Sequence, residues 1–170
     1  MSDTRSLADI KGDLGAQVQQ IMSRYPKSRS AIMPALDLAQ QTYGGVDGLT
    51  YQAIAELLDV PEIWVFEVAS FYTLYDRKEV GRHHIRLCTN LPCMLRGAET
   101  LMNHLQQRLG VGHGETTSDG KFTLSAVECL GACEQAPVLM ADAQYHGDLT
   151  AEKLDALLAS LAELPAEEVS

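Results

Sequence analysis

Two hydrophobic rhythms divide the chain. From Asp13 to Tyr25, Leu14, Val18, Ile21 and Met22 recur at the three-to-four spacing of an amphipathic helix, and Pro26 ends the run. From Ser30 to Tyr43 the same spacing puts Ile32, Leu36, Ala39 and Tyr43 on one face. Pro34 falls in the first turn, where a missing N–H is tolerated, and Gly44-Gly45 stops the helix. Thr50 is placed to cap a short helix bearing Ile54, Leu57 and Leu58. Pro61 suits the start of a fourth, although the β-branched residues between Ile63 and Val68 leave helix and strand both open there. The segment from Trp64 to Leu74 reads mostly as core. Its aromatics, Trp64, Phe66, Phe71 and Tyr72, exceed one helix face and so also suit an interface.

After Val80-Gly81 the pattern changes. His84 to Cys88 alternates like a strand, Leu95 to Leu109 returns to helical spacing, and Gly110 to Gly120 reads as a polar loop. Lys121 to Val127 alternates again. Pro137 to Met140 is a short apolar run that Ala143 to His146 can join as a hairpin. Thr150 is placed to cap a last helix carrying Leu154, Leu157, Leu158 and Leu161. The order strand, helix, strand, strand, strand, helix implies helices packed on a small mixed sheet. The expected class is therefore α+β: a helical unit over residues 1–80, an α/β domain over 81–164, and a flexible tail over 165–170.

Composition removes several functions. With 46% hydrophobic residues in 170, the chain can bury a core. Thirteen Lys and Arg against 23 Asp and Glu give a charge of −10, which argues against a nucleic-acid partner. No apolar run approaches the roughly 20 residues of a membrane span. The start, Met1-Ser2-Asp3-Thr4-Arg5, has neither an apolar signal core nor an Arg-rich presequence, so a cytoplasmic protein without membrane insertion is expected. Gly110-Val-Gly-His-Gly114 lacks the pattern of a phosphate loop. No nucleophile–base set has local support, so no catalytic residue is assigned.

The chemistry lies in four cysteines: Cys88-x4-Cys93 and Cys129-x3-Cys133. Each pair follows a predicted strand. If those strands run parallel, both loops leave one end of the sheet and four thiolates can meet at one inorganic centre. An x4 pair fits zinc knuckles poorly and iron–sulfur spacing better. In a two-iron cluster the ligands divide two per iron, which suits two separate pairs. Neither pair contains Cys-x-His, so ligation by cysteine alone is favoured. Zinc and plain buried thiols stay open on spacing alone. Thr89, Asn90 and the small residues Gly131-Ala132 could bring hydrogen-bond donors to the sulfurs. His83 and His84 read as strand-edge residues rather than ligands.

Cys88-Thr-Asn-Leu-Pro-Cys93-Met-Leu-Arg-Gly97 and Val127-Glu-Cys129-Leu-Gly-Ala-Cys133-Glu-Gln-Ala-Pro137 resemble the NADH dehydrogenase 24 kDa subunit family, the thioredoxin-like [2Fe–2S] subunits of respiratory complex I, NuoE-type in bacteria. Tyr25-Pro26, Glu67-Val-Ala-Ser-Phe71-Tyr72-Thr73 and the run Gly114 to Leu124 extend the resemblance over about residues 14–160. Glu134 departs from it, standing where the family usually has a small residue. The resemblance implies an N-terminal helical bundle over residues 1–80, a thioredoxin-like second domain with a mixed sheet, and a [2Fe–2S] cluster on Cys88, Cys93, Cys129 and Cys133, with a cis Ala136–Pro137 bond beside it. It also implies an electron-transfer role in NADH:quinone oxidoreductase. FMN and NADH would lie on a partner flavoprotein (NuoF-type), among other peripheral-arm subunits on the cytoplasmic side. The isolated chain would not oxidise NADH. The equivalent subunit of an NAD-linked hydrogenase or formate dehydrogenase is an alternative home, and a zinc-stapled interaction module is an alternative of another class.

Overall fold

A computed structural model describes residues 5–163, so the expected tail over 165–170 lies outside the described residues. The chain divides between Glu79 and Val80 into two units, each with a hydrophobic core of its own.

The first unit is helical: α1 (Leu7–Met22), α2 (Ile32–Tyr43), α3 (Gly48–Leu58) and α4 (Glu62–Phe71). α1 begins well before the pattern from Leu14 suggests. Ser6 and Asp9 form a reciprocal capping box, the Asp9 N–H donating to Ser6 Oγ at 3.2 Å and the Ser6 N–H to Asp9 at 2.9 Å. Ile10 then joins Leu14 and Val18 on the buried stripe. α3 is capped by Asp47 and not by Thr50. Asp47 Oδ1 accepts from the Thr50 N–H at 2.9 Å and from its hydroxyl at 2.8 Å, and Thr50 is buried in the first turn. α4 is a helix despite its β-branched residues, with Pro61 at its N-cap. Only Val65 and Ala69 are buried on it. Ile63, Phe66 and Phe71 are exposed, so this segment is less a core element than its composition implies.

The second unit contains β1 (His83–Cys88), α5 (Leu91–Leu95), α6 (Ala98–Leu109), β2 (Glu115–Thr116), β3 (Phe122–Val127), β4 (Leu139–Ala141), β5 (Gln144–His146) and α7 (Ala151–Glu163). The sheet order is β2-β3-β1-β4-β5, with β1 and β3 parallel and the other pairs antiparallel. The alternating run is a strand as expected, and all six residues of β1 are buried, Ile85 and Leu87 in the core and His84 and Arg86 at the alternate positions. A central strand is covered on both faces. Ile85, Leu87 and Leu124 of the sheet share a core with Leu105 of α6 and Leu154 of α7. The helix expected from Leu95 begins at Ala98 as α6, with Gly97 at φ 92° as its N-cap, while Leu95 ends the separate short helix α5. The loop expected over Gly110–Gly120 contains the short edge strand β2. Thr150 does cap α7, its Oγ1 accepting from the Lys153 N–H at 3.3 Å. Among the described residues no helix is long and apolar enough to cross a membrane.

Candidate functional site

The parallel pairing of β1 with β3 builds the site. Cys88 ends β1 directly opposite Val127, the last residue of β3, and Cys129 lies two residues beyond. The Thr89 N–H continues the ladder to the Val127 carbonyl at 2.9 Å. Cys93 stands in α5, not in an open loop, because Asn90 caps that helix by accepting from the Leu91 N–H at 2.7 Å. Cys133 opens a 3-10 turn through Gln135. The chain then returns beside Cys88, whose N–H donates to the Val138 carbonyl at 3.1 Å. The Ala136–Pro137 bond in this return is cis.

Four free thiols are thus gathered at one end of the sheet. Cys88 and Cys93 are buried, while Cys129 and Cys133 are exposed. Leu130, Ala136, Val138 and Met140 pack with the buried pair as an apolar wall. Burial pushes the Cys93 thiol up. The Val138 backbone pulls the other way, and a hydrogen bond with Cys88 and the charges of Cys88 and Cys133 push up again. Lost solvation raises Cys133 too, followed by Cys129, with which it hydrogen-bonds, then Cys88 and Glu134. The thiols therefore feel one another both within each pair and between the pairs. Among the described residues no three His, Cys, Asp or Glu side chains form a cage for a single metal ion.

This donor set fits a [2Fe–2S] cluster. It offers two close thiol pairs, an apolar wall, and a backbone donor already aimed at sulfur: the Gly131 N–H points at Cys129 Sγ at 3.3 Å. Gly131 has φ 74°, a left-handed conformation that glycine adopts without strain. Thr89 does not serve as expected, because its hydroxyl donates to the Val127 carbonyl at 3.2 Å. Asn90 accepts with Oδ1 in its helix cap, which leaves its amide N–H groups as donors. Nor are His83 and His84 edge residues. Both are buried in the central strand, His83 Nδ1 bonded to Asp142 at 2.8 Å and His84 Nε2 to Ser125 at 2.7 Å. One feature escaped the sequence reading: Leu91, Met94 and Leu95 are all exposed, Leu95 at 85%. Their i, i+3, i+4 spacing around buried Cys93 was the available signal.

The model of the thioredoxin-like [2Fe–2S] ferredoxin family matches residues 18–162. The chain belongs to the thioredoxin-like [2Fe–2S] ferredoxin family. Membership implies a [2Fe–2S] cluster. An NADH-quinone oxidoreductase E subunit of Rhizobium meliloti (strain 1021), the second of that name, is 51% identical over 144 residues, 85% of this chain and 86% of that protein. The NADH-quinone oxidoreductase E subunit of Rickettsia conorii (strain ATCC VR-613 / Malish 7) is 45% identical over 148 residues, 84% of this chain and 87% of that protein. Among solved structures, NAD+-reducing [NiFe]-hydrogenase in the air-oxidized state shares the fold at a TM-score of 0.68 with 22% identity. That likeness covers 82% of this chain and 24% of the hydrogenase chain.

Proposed function

We propose that Cys88, Cys93, Cys129 and Cys133 hold the [2Fe–2S] cluster, and that the chain is the NuoE-type electron-transfer subunit of NADH:quinone oxidoreductase. The observation that carries this reading is the pair of cysteine loops brought to one sheet end by β1 and β3, within a member of this family. When bound, the cluster supplies a one-electron store. The chain's own residues bind and shield it. Leu130, Ala136 and Val138 keep water from the buried thiols, and Gly131 steadies Cys129.

A hydride donor gives two electrons, so NADH reaches a one-electron centre through a flavin, here FMN on a NuoF-type subunit. The exposed apolar face of Leu91, Met94 and Leu95 beside Cys93 supports docking of such a chain at the cysteine end. The exposed aromatics Phe66, Phe71 and Tyr72 on and just after α4 support a second contact. The assembly is read as the peripheral arm of complex I on the cytoplasmic side. The names of the relatives favour this home over a hydrogenase or formate dehydrogenase. The test mixes the cluster-loaded chain with NADH, with and without a co-expressed flavoprotein partner, and follows the visible spectrum. Bleaching by NADH is expected only with the flavoprotein present. Equally fast bleaching of the flavin-free chain contradicts the reading.

A further inference from the structure

Glu134 follows the last cysteine directly, in the exposed 3-10 turn Cys133–Gln135. Its Oε1 accepts a 3.3 Å hydrogen bond from the neutral Gln135 amide. Among the described residues it enters no ion pair. Arg96 is the sole Lys or Arg in the stretches 88–97 and 127–137 that carry the four cysteines. The carboxylate is therefore a negative charge one residue from a sulfur; Glu128 stands likewise before Cys129, but Glu134 is the carboxylate whose charge bears on Cys133. Cys133 feels it, after lost solvation and the Cys129 and Cys88 thiols.

A cluster on four thiolates is anionic, and reduction adds one more negative charge. A fixed carboxylate beside it opposes that step, and net charge is one of the quantities that set the potential of such centres. We propose that Glu134 holds the reduction potential of the four-cysteine centre low, acting through space as a charge and not as a ligand. The inference rests on the cysteine reading above. Because Glu134 is exposed, its field is screened over a Debye length of about 8 Å at physiological salt. A purely electrostatic effect must therefore weaken as salt rises, whereas a loop rearrangement would not.

The experiment is a potentiometric titration of the full cluster-loaded chain, followed by its visible spectrum, at low and high salt. Wild type is compared with Glu134→Gln, with the charge-preserving Glu134→Asp, and with Glu163→Gln at the end of α7. Iron and sulfide are counted in each. The expected result is a more positive midpoint for Glu134→Gln alone, with the gap to wild type narrowing at high salt. Normal cluster content with equal midpoints, or a gap unmoved by salt, overturns this inference and leaves the ligand assignment standing. Wild-type chain without iron and sulfide overturns the ligand assignment itself.

Discussion

At the scale of single residues, burial separates the two members of the cysteine set that a sequence cannot tell apart. Cys93 is buried in an apolar wall, and Cys133 is open to solvent. On the proposed ligation, Cys93→Ser would remove a ligand and also bury a hydroxyl, at a cost of roughly 1–3 kcal/mol if it finds no partner. Cys133→Ser would remove a ligand and leave the stability of the cluster-free chain within about 0.5 kcal/mol. Iron content should fall in both, while urea unfolding of the cluster-free proteins should shift only for Cys93→Ser. Asp47 gives a second residue-scale expectation. Burial raises its carboxyl, but the N–H and hydroxyl of Thr50, with the charge of Arg5, pull it below the ordinary carboxylate value. Its folded pKa lies below its unfolded one. Its stabilisation is thus fully present above an unfolded pKa of about 3.9 and is lost as pH falls through the folded value. Asp47→Ala should cost about 1 kcal/mol at neutral pH, and the gap to wild type should close in acid unfolding curves taken down through that range.

At the scale of elements, the sequence was most legible where periodicity and spacing had one cause. The helical stripes Leu14–Val18 and Ile32–Leu36–Ala39, the β4–β5 hairpin and the Thr150 cap all follow from local pattern. The cysteine set was visible as four positions, because the chain has four cysteines and they fall in two close pairs, each after a strand. What local pattern hid was context. β1 is buried on both faces because it is central, and His83 and His84 are buried because Asp142 and Ser125 come to them from distant turns and strands. The start of α1 was legible but missed: Ile10 extends the buried stripe back from Leu14, Leu7 packs on the same core, and Ser6-x-x-Asp9 is the capping box before it. Glycines show the same dependence on context. A Cβ on Gly81, where the chain enters β1, would lie 3.0 Å from the Gly120 carbonyl and the Phe122 backbone. Gly12, inside α1, has open space around it. Gly81→Ala should therefore destabilise by about 1–3 kcal/mol, and Gly12→Ala should stabilise by roughly 0.5–1 kcal/mol. Thermal unfolding of the two variants checks opposite signs from the same substitution.

At the scale of the whole molecule, all four cysteines lie in the second unit and none in the first. Cluster loss should act on one unit only. Without a cluster the converging thiols lack a common partner, and residues 88–93 and 129–133 should exchange amide hydrogens faster than in the loaded chain. The helices of the first unit should exchange alike in both forms, since their core around Ile10, Leu36 and Ile54 owes nothing to a ligand. Equal protection of the two cysteine loops with and without cluster would show that the sheet end is ordered by its own packing. The central claim, that these four cysteines carry one two-iron centre, is tested most directly by metal and sulfide analysis of anaerobically purified chain, with its visible spectrum. Two irons and two acid-labile sulfides per chain are expected, in a coloured protein that bleaches on reduction, with loss of both elements in Cys93→Ser. Stoichiometric zinc in a colourless, sulfide-free protein would contradict it.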